Sequence, residues 1–345
     1  MILVRMRRFR RSGGRRRPVS RWCVAAIVLL WLSVYVPPPR AGLALAAVTS
    51  PDPALDDAAF EIPDFLVAPS LSPLPGVERA RGWGAVLTFG KTDGREVGPW
   101  FAELYLPEGD DDPRALVVIL PVGGARSRLA DRLMKRFVAE DFATLLLRAI
   151  PETADQGVMH SLRGTARTLA EDAANLLRVV RWARTLPGVD PARVGVLGVS
   201  RGAIGAALAA QQDRSLSVVL VLGGADLVGL LRESRLDVVE RLRRGEIERA
   251  GGDVQRMEAR AAQVLANVDP LSRPGRLDPS RTLLINARWD RVIPHRQGIA
   301  LREAAGGATQ AWLATGHYGT VLRMRTVRRL AVEHFTRTLG GSGLR

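Results

Sequence analysis

Five short, almost uninterrupted apolar runs restrict what this chain can fold into more than any other feature: ALVVILP (115–121), ATLLLRAI (143–150), RVGVLGVS (193–200), SVVLVLGG (217–224) and RTLLINAR (281–288). Such runs read as parallel strands buried on both faces. Three further strand candidates are GAVLTFG (84–90), PWFAELYLP (99–107) and TQAWLAT (309–315). Between them the apolar period changes to that of a helix, over 127–140, 164–185, 201–212, 296–305 and 320–339. In 164–185 the residues Leu169, Ala173, Leu176, Leu177 and Val180 repeat at three and four, and Pro187-Gly188 stops the helix. Two leading strands followed by alternation of strand and helix predict an α/β fold. Its sheet is mostly parallel, has eight strands and carries helices on both faces.

One stretch breaks the alternation. Residues 227–275, after the sixth predicted strand, are charged and helical in pattern. An insertion there lies above the carboxyl ends of the strands, the edge where open α/β sheets bind ligands. It is either a solvated helical hairpin or a lid over a substrate.

Before Gly84 the chain has a different character. Residues 1–46 carry ten Arg and no acidic residue, and an apolar run from Cys23 to Val36 follows the basic stretch. That run is shorter than the roughly 20 residues needed to span a bilayer. PPPR breaks it, and Ala44-Leu45-Ala46 offers a small-x-small cleavage site. Residues 1–46 therefore read as an export signal, with a signal anchor over 23–36 as the alternative. In both cases the bulk of the chain lies outside the cytoplasm. Residues 47–80, rich in Pro, Ala and Asp, read as a linker or surface strap, and 81–345 as the catalytic domain.

The formal charge of +15 suggests a polyanion partner until its distribution is considered. Outside residues 1–46 there are 40 basic and 35 acidic residues, an ordinary surface that excludes a nucleic-acid stripe. The sole cysteine, Cys23, is in the apolar run, so a processed chain has no disulfide, no thiolate nucleophile and no Cys-based metal site.

The chemistry centres on GVSRG (198–202), a G-x-S-x-G sequence between a buried strand and the small-residue helix AIGAALAAQQ. A strand that turns this sharply into a helix holds Ser200 in a strained conformation, and the glycines remove side chains that would collide. A serine needs a base, and the base an orienting acid. Of the four histidines, His160 precedes the serine and His334 falls inside a helix. His295 is close to the strand that bears one acid candidate, whereas His317, in ATGHYGT, follows the last strand. Asp290 leaves the seventh strand in LLINARWDRVIP, and Asp226 leaves the sixth in LVLGGAD. Both aspartates also suit simple turns. We favour Asp290 and His317.

With these motifs, about three-quarters of the chain, from Gly84 to Leu339, resembles the α/β-hydrolase superfamily, in particular dienelactone-hydrolase-like bacterial esterases. The resemblance is carried by GVSRG, by the WD-x-x-IP acid loop and by the GHY histidine loop. It implies a serine hydrolase acting on a small-molecule acyl ester without cofactor or metal. It also implies an oxyanion hole made by the backbone N–H groups of Arg201 and of Gly123, in PVGG (121–124), where the family usually has a His-Gly pair. A peptidase, thioesterase or acyltransferase would use the same three side chains, and an idle scaffold used for binding would keep the fold.

Overall fold

Alternate residues of each buried strand enter two separate cores, which is why the sequence shows continuous apolar runs rather than alternation. The computed structural model describes residues 69–77, 80–87, 100–109, 112–120, 128–149, 161–272 and 276–340. Among these, nine strands form one sheet: β1 (Ser72–Val77), β2 (Ala80–Leu87), β3 (Trp100–Pro107), β4 (Arg114–Ile119), β5 (Ala143–Ala149), β6 (Val189–Val199), β7 (Ser217–Val221), β8 (Thr282–Ala287) and β9 (Thr309–Leu313). Their spatial order is β1-β2-β3-β5-β4-β6-β7-β8-β9. The pairs from β1 to β3 and on to β5 are antiparallel, and from β5 to β9 every pair is parallel.

The helices described are α1 (Arg128–Ala139), α2 (Leu162–Ala183), α3 (Arg201–Gln212), α4 (Leu227–Glu233), α5 (Asp237–Arg249), α6 (Val254–Leu265), α7 (His295–Ala304) and α8 (Met324–Phe335). On one face, Leu116, Val118 and Leu120 pack in a core with Leu176 and Val180 of α2 and Leu208 of α3. On the other, Val117 and Ile119 join Leu133 and Phe137 of α1 and Val327 and Phe335 of α8. Each such side chain taken out of water contributes about 1.5–3 kcal/mol. Gly195 in β6 admits α8 to this second core, because a Cβ there would lie 2.6 Å from the Phe335 ring.

The structure departs from the sequence reading in three places. The sheet has nine strands rather than eight, because β1 lies within the stretch expected to be a linker or strap. Its SPLPGV sequence has no period to read, and it pairs on one side only, at the sheet edge where proline is tolerated. The sheet therefore begins with three antiparallel strands, not two. Second, the last predicted helix divides into a 3-10 turn over Tyr318–Arg323, then α8, then a π-turn over Thr336–Gly340.

Third, the insertion is not a solvated hairpin. It forms three helices, α4 to α6, and sends Leu231, Val239, Leu242, Met257 and Leu265 into the core shared with α2 and α3. Its buried Glu246 accepts a hydrogen bond from the backbone N–H of Leu162 at 3.3 Å and pairs with Arg249. Residues 1–46, most of the linker and Gly123 lie outside the described residues. Among the described residues no helix is long and apolar enough to cross a membrane.

Candidate active site

The carboxyl ends of β6, β8 and β9 open on the same edge of the sheet, and each delivers one of the predicted residues. Ser200 follows β6 directly and precedes α3. Its φ of 56° with ψ of −121° is a conformation that L-residues rarely adopt. Two features hold it there. The Ser200 N–H donates to the Val221 carbonyl at 2.8 Å, extending the ladder to β7. Gly198 lets the helix fold back over the strand, for a Cβ at that position would be 2.3 Å from the Gly202 carbonyl oxygen. Arg201 opens α3, so its N–H belongs to the first turn, where helix N–H groups have no carbonyl of their own helix to meet. Its side chain turns away to pair with Asp172 of α2 at 3.1 Å. Burial pushes the Asp172 carboxyl up, against the opposing pull of Arg201.

Asp290 sits in the loop after β8. Its Oδ1 accepts hydrogen bonds from the N–H groups of Val292 at 2.8 Å and Ile293 at 2.9 Å. Its Oδ2 lies 2.7 Å from Nδ1 of His317. The two side chains are only 2% and 12% exposed, so the contact is shielded from competing water. With Nδ1 donating to the carboxylate, the neutral imidazole carries its lone pair on Nε2. Pairing of β8 with β9 brings these loops together: Arg288 N–H donates to Leu313 O at 2.9 Å, and Trp289 N–H donates to Thr315 O at 3.0 Å.

Asp226, the competing acid, serves a different purpose. Its backbone is left-handed, and it caps α4 by accepting from the N–H of Gly229 at 3.0 Å. Its other oxygen takes a long hydrogen bond of 3.4 Å from Gln297 Nε2. Asp269 supports the same turn by accepting from the N–H groups of Asp226 and Leu227, a role that nothing in the sequence had signalled.

Two of the other histidines are elsewhere. His295 stacks on Trp312 with centroids 4.1 Å apart. His334 is buried between the starts of β7 and β8, with Nε2 3.0 Å from Ser217 Oγ and 3.2 Å from the Arg281 carbonyl. Burial, helped by the charges of Arg337 and Arg281, pushes its pKa down to about 4. His160 lies outside the described residues.

Sequence reasoning also missed how the insertion meets the site. Ser234 Oγ donates to Val292 O at 2.8 Å, and Arg235 N–H donates to Arg291 O at 2.7 Å. The turn between α4 and α5 is thus fastened to the loop that carries Asp290. Tyr318, in edge-to-face contact with the His317 ring, has its phenol pKa raised by partial burial and by the carboxylates of Asp237 and Asp290.

No protein-family model and no curated protein sequence matches the chain. Solved structures do. The acetyl xylan esterase from Paenibacillus sp. R4 is similar with a TM-score of 0.59 and 15% identity, over 79% of this chain and 90% of its own. Acetyl xylan esterase 1 from Thermoanaerobacterium sp. JW/SL YS485 is similar with a TM-score of 0.57 and 17% identity, over 79% of this chain and 89% of its own.

Proposed function

On the premise that the chain has the α/β-hydrolase fold, we propose that it is a serine hydrolase cleaving carboxylic esters through an acyl-enzyme. The observation that carries this reading is the shielded contact of 2.7 Å between Asp290 Oδ2 and His317 Nδ1, at the sheet edge where Ser200 occupies its strained turn. In the mechanism, Nε2 of His317 takes the Ser200 proton as Oγ attacks the acyl carbonyl. Asp290 holds the tautomer and stabilises the imidazolium that forms. The tetrahedral oxyanion accepts hydrogen bonds from the N–H groups of Arg201 and Gly123, each donor typically worth about 3 kcal/mol of barrier. Collapse expels the alkoxide, which takes the proton from His317. Water, deprotonated by the same imidazole, then attacks the acyl-enzyme, releasing the carboxylic acid and restoring Ser200.

An ester is preferred over an amide or thioester because both similar structures are esterases by name. Residues 1–46 export the chain; N-terminal sequencing of secreted or periplasmic protein should find a start near Ala47, whereas an intact terminus in the membrane fraction supports the anchor.

Fluorophosphonate labelling with a panel of p-nitrophenyl esters of increasing chain length tests the reaction. Ser200→Ala should abolish both labelling and turnover in a folded protein. Turnover at the parent rate would remove Ser200 from the mechanism, and a parent that neither labels nor hydrolyses would be an idle scaffold.

A further inference from the structure

Seven large hydrophobic side chains stand out into solvent among the described residues, and four of them are in the two loops that carry Asp290 and His317. Trp289 is 64% exposed, Tyr318 57%, Val321 43% and Leu322 88%. Trp289 directly precedes Asp290, with its carbonyl beside Gly316, and Tyr318 packs against His317. Val321 and Leu322 follow on the 3-10 turn Tyr318–Arg323. Exposed Arg288, Arg291, Arg323 and Arg325 lie among and beside them, and none is ion-paired among the described residues. From the insertion, the carboxylate of Asp237 acts on Tyr318.

We infer that this rim docks on the surface of a lipid bilayer bearing anionic headgroups, with the Asp290–His317 edge facing the membrane. Indole and phenol rings settle at the headgroup level, aliphatic side chains insert below it, and guanidinium groups meet the phosphates. A sugar polymer would also use Trp289 and Tyr318 by stacking, but the most exposed member is Leu322, an aliphatic side chain with no ring face or polar group to offer. A protein partner would be expected to meet a packed patch, whereas Leu322 projects almost free of neighbours. The inference does not depend on which residue is the nucleophile.

The test uses the full chain with Cys23→Ser, which removes the only native thiol, and a single environment-sensitive fluorophore on Leu322→Cys. A control carries the label on Thr309→Cys, an exposed site at the opposite, amino end of β9. Vesicles of phosphatidylcholine with phosphatidylglycerol should shift the position-322 emission to the blue and allow quenching by doxyl-labelled acyl chains. The label at 309 should not respond. Added salt, or Arg288→Gln combined with Arg323→Gln, should weaken the response about tenfold. A label at 322 that stays in water while the chain sediments with vesicles would overturn the inference, as would an equal response at both positions or no vesicle binding. An equal response in neutral vesicles removes the anionic surface. A shift produced by raising protein concentration without lipid makes the face a contact between copies and refutes lipid docking. Hydrolysis of soluble p-nitrophenyl acetate, measured in the same samples, reports on the proposed activity separately.

Discussion

Ser200, the proposed nucleophile, is held in a backbone conformation suited to glycine. Non-glycine residues held in such regions typically cost about 1–3 kcal/mol. Ser200→Gly should therefore be more stable than Ser200→Ala by about 1 kcal/mol in chemical denaturation, with both inactive; equal stabilities would mean that the turn is not strained. The two aspartates should separate just as clearly. In the proposed mechanism Asp290→Asn removes the acceptor that fixes the His317 tautomer, and kcat should fall on the order of 10⁴-fold with little change in stability. Asp226→Ala removes the α4 cap and should cost about 1–2 kcal/mol of stability while leaving kcat near the parent value. A kinetic loss at Asp226 as large as that at Asp290 would contradict the arrangement of Asp290 against His317.

At the scale of elements, the insertion of α4 to α6 is continuous with the body of the fold. Leu242 and Met257 are buried with α2 and α3, and Ser234 and Arg235 bind the loop that carries Asp290. Such an insertion cannot open as a free lid without exposing core side chains to water. Leu242→Ala should shift one cooperative unfolding transition downward by about 2–5 kcal/mol, the usual cost of emptying a buried leucine site. A separate early transition, with the main one unmoved, would show instead that the insertion unfolds alone.

Across the whole molecule, the sheet is locked at its amino edge by a group that titrates. His334 of α8 bridges Ser217 at the start of β7 and the Arg281 carbonyl before β8. It also accepts a hydrogen bond from Arg337 on Nδ1, so it is held neutral. Its pKa is pushed down to about 4 from an ordinary 6.5, so between these values the unfolded chain binds the extra proton. The resulting stabilisation is fully present above pH 6.5 and is lost as the pH falls through about 4, by up to roughly 3 kcal/mol. The difference in unfolding free energy between the parent and His334→Gln should narrow over that range. A constant difference would show that His334 does not titrate with folding.

By itself the sequence determined the layered plan and the place of Ser200. Strands buried on both faces must be continuously apolar, and GVSRG had to fall where a strand meets a helix. The loop around Asp290 was legible for the same reason, since it follows such a strand, whereas the loop around His317 was placed by following the last strand, which is only partly buried. The sequence favoured Asp290 over Asp226 without deciding between them, because both follow β-strands and both suit a turn. Only the parallel pairing of β8 with β9, which joins Arg288 to Leu313 and Trp289 to Thr315, laid Asp290 against His317. The tertiary structure alone also added β1, whose prolines erase any strand period. It alone revealed the buried side of the insertion, since its charged residues mask the few leucines that face the core. Patterns set by one element's own burial can be read along the chain; contacts between side chains remote in sequence depend on how the elements pack.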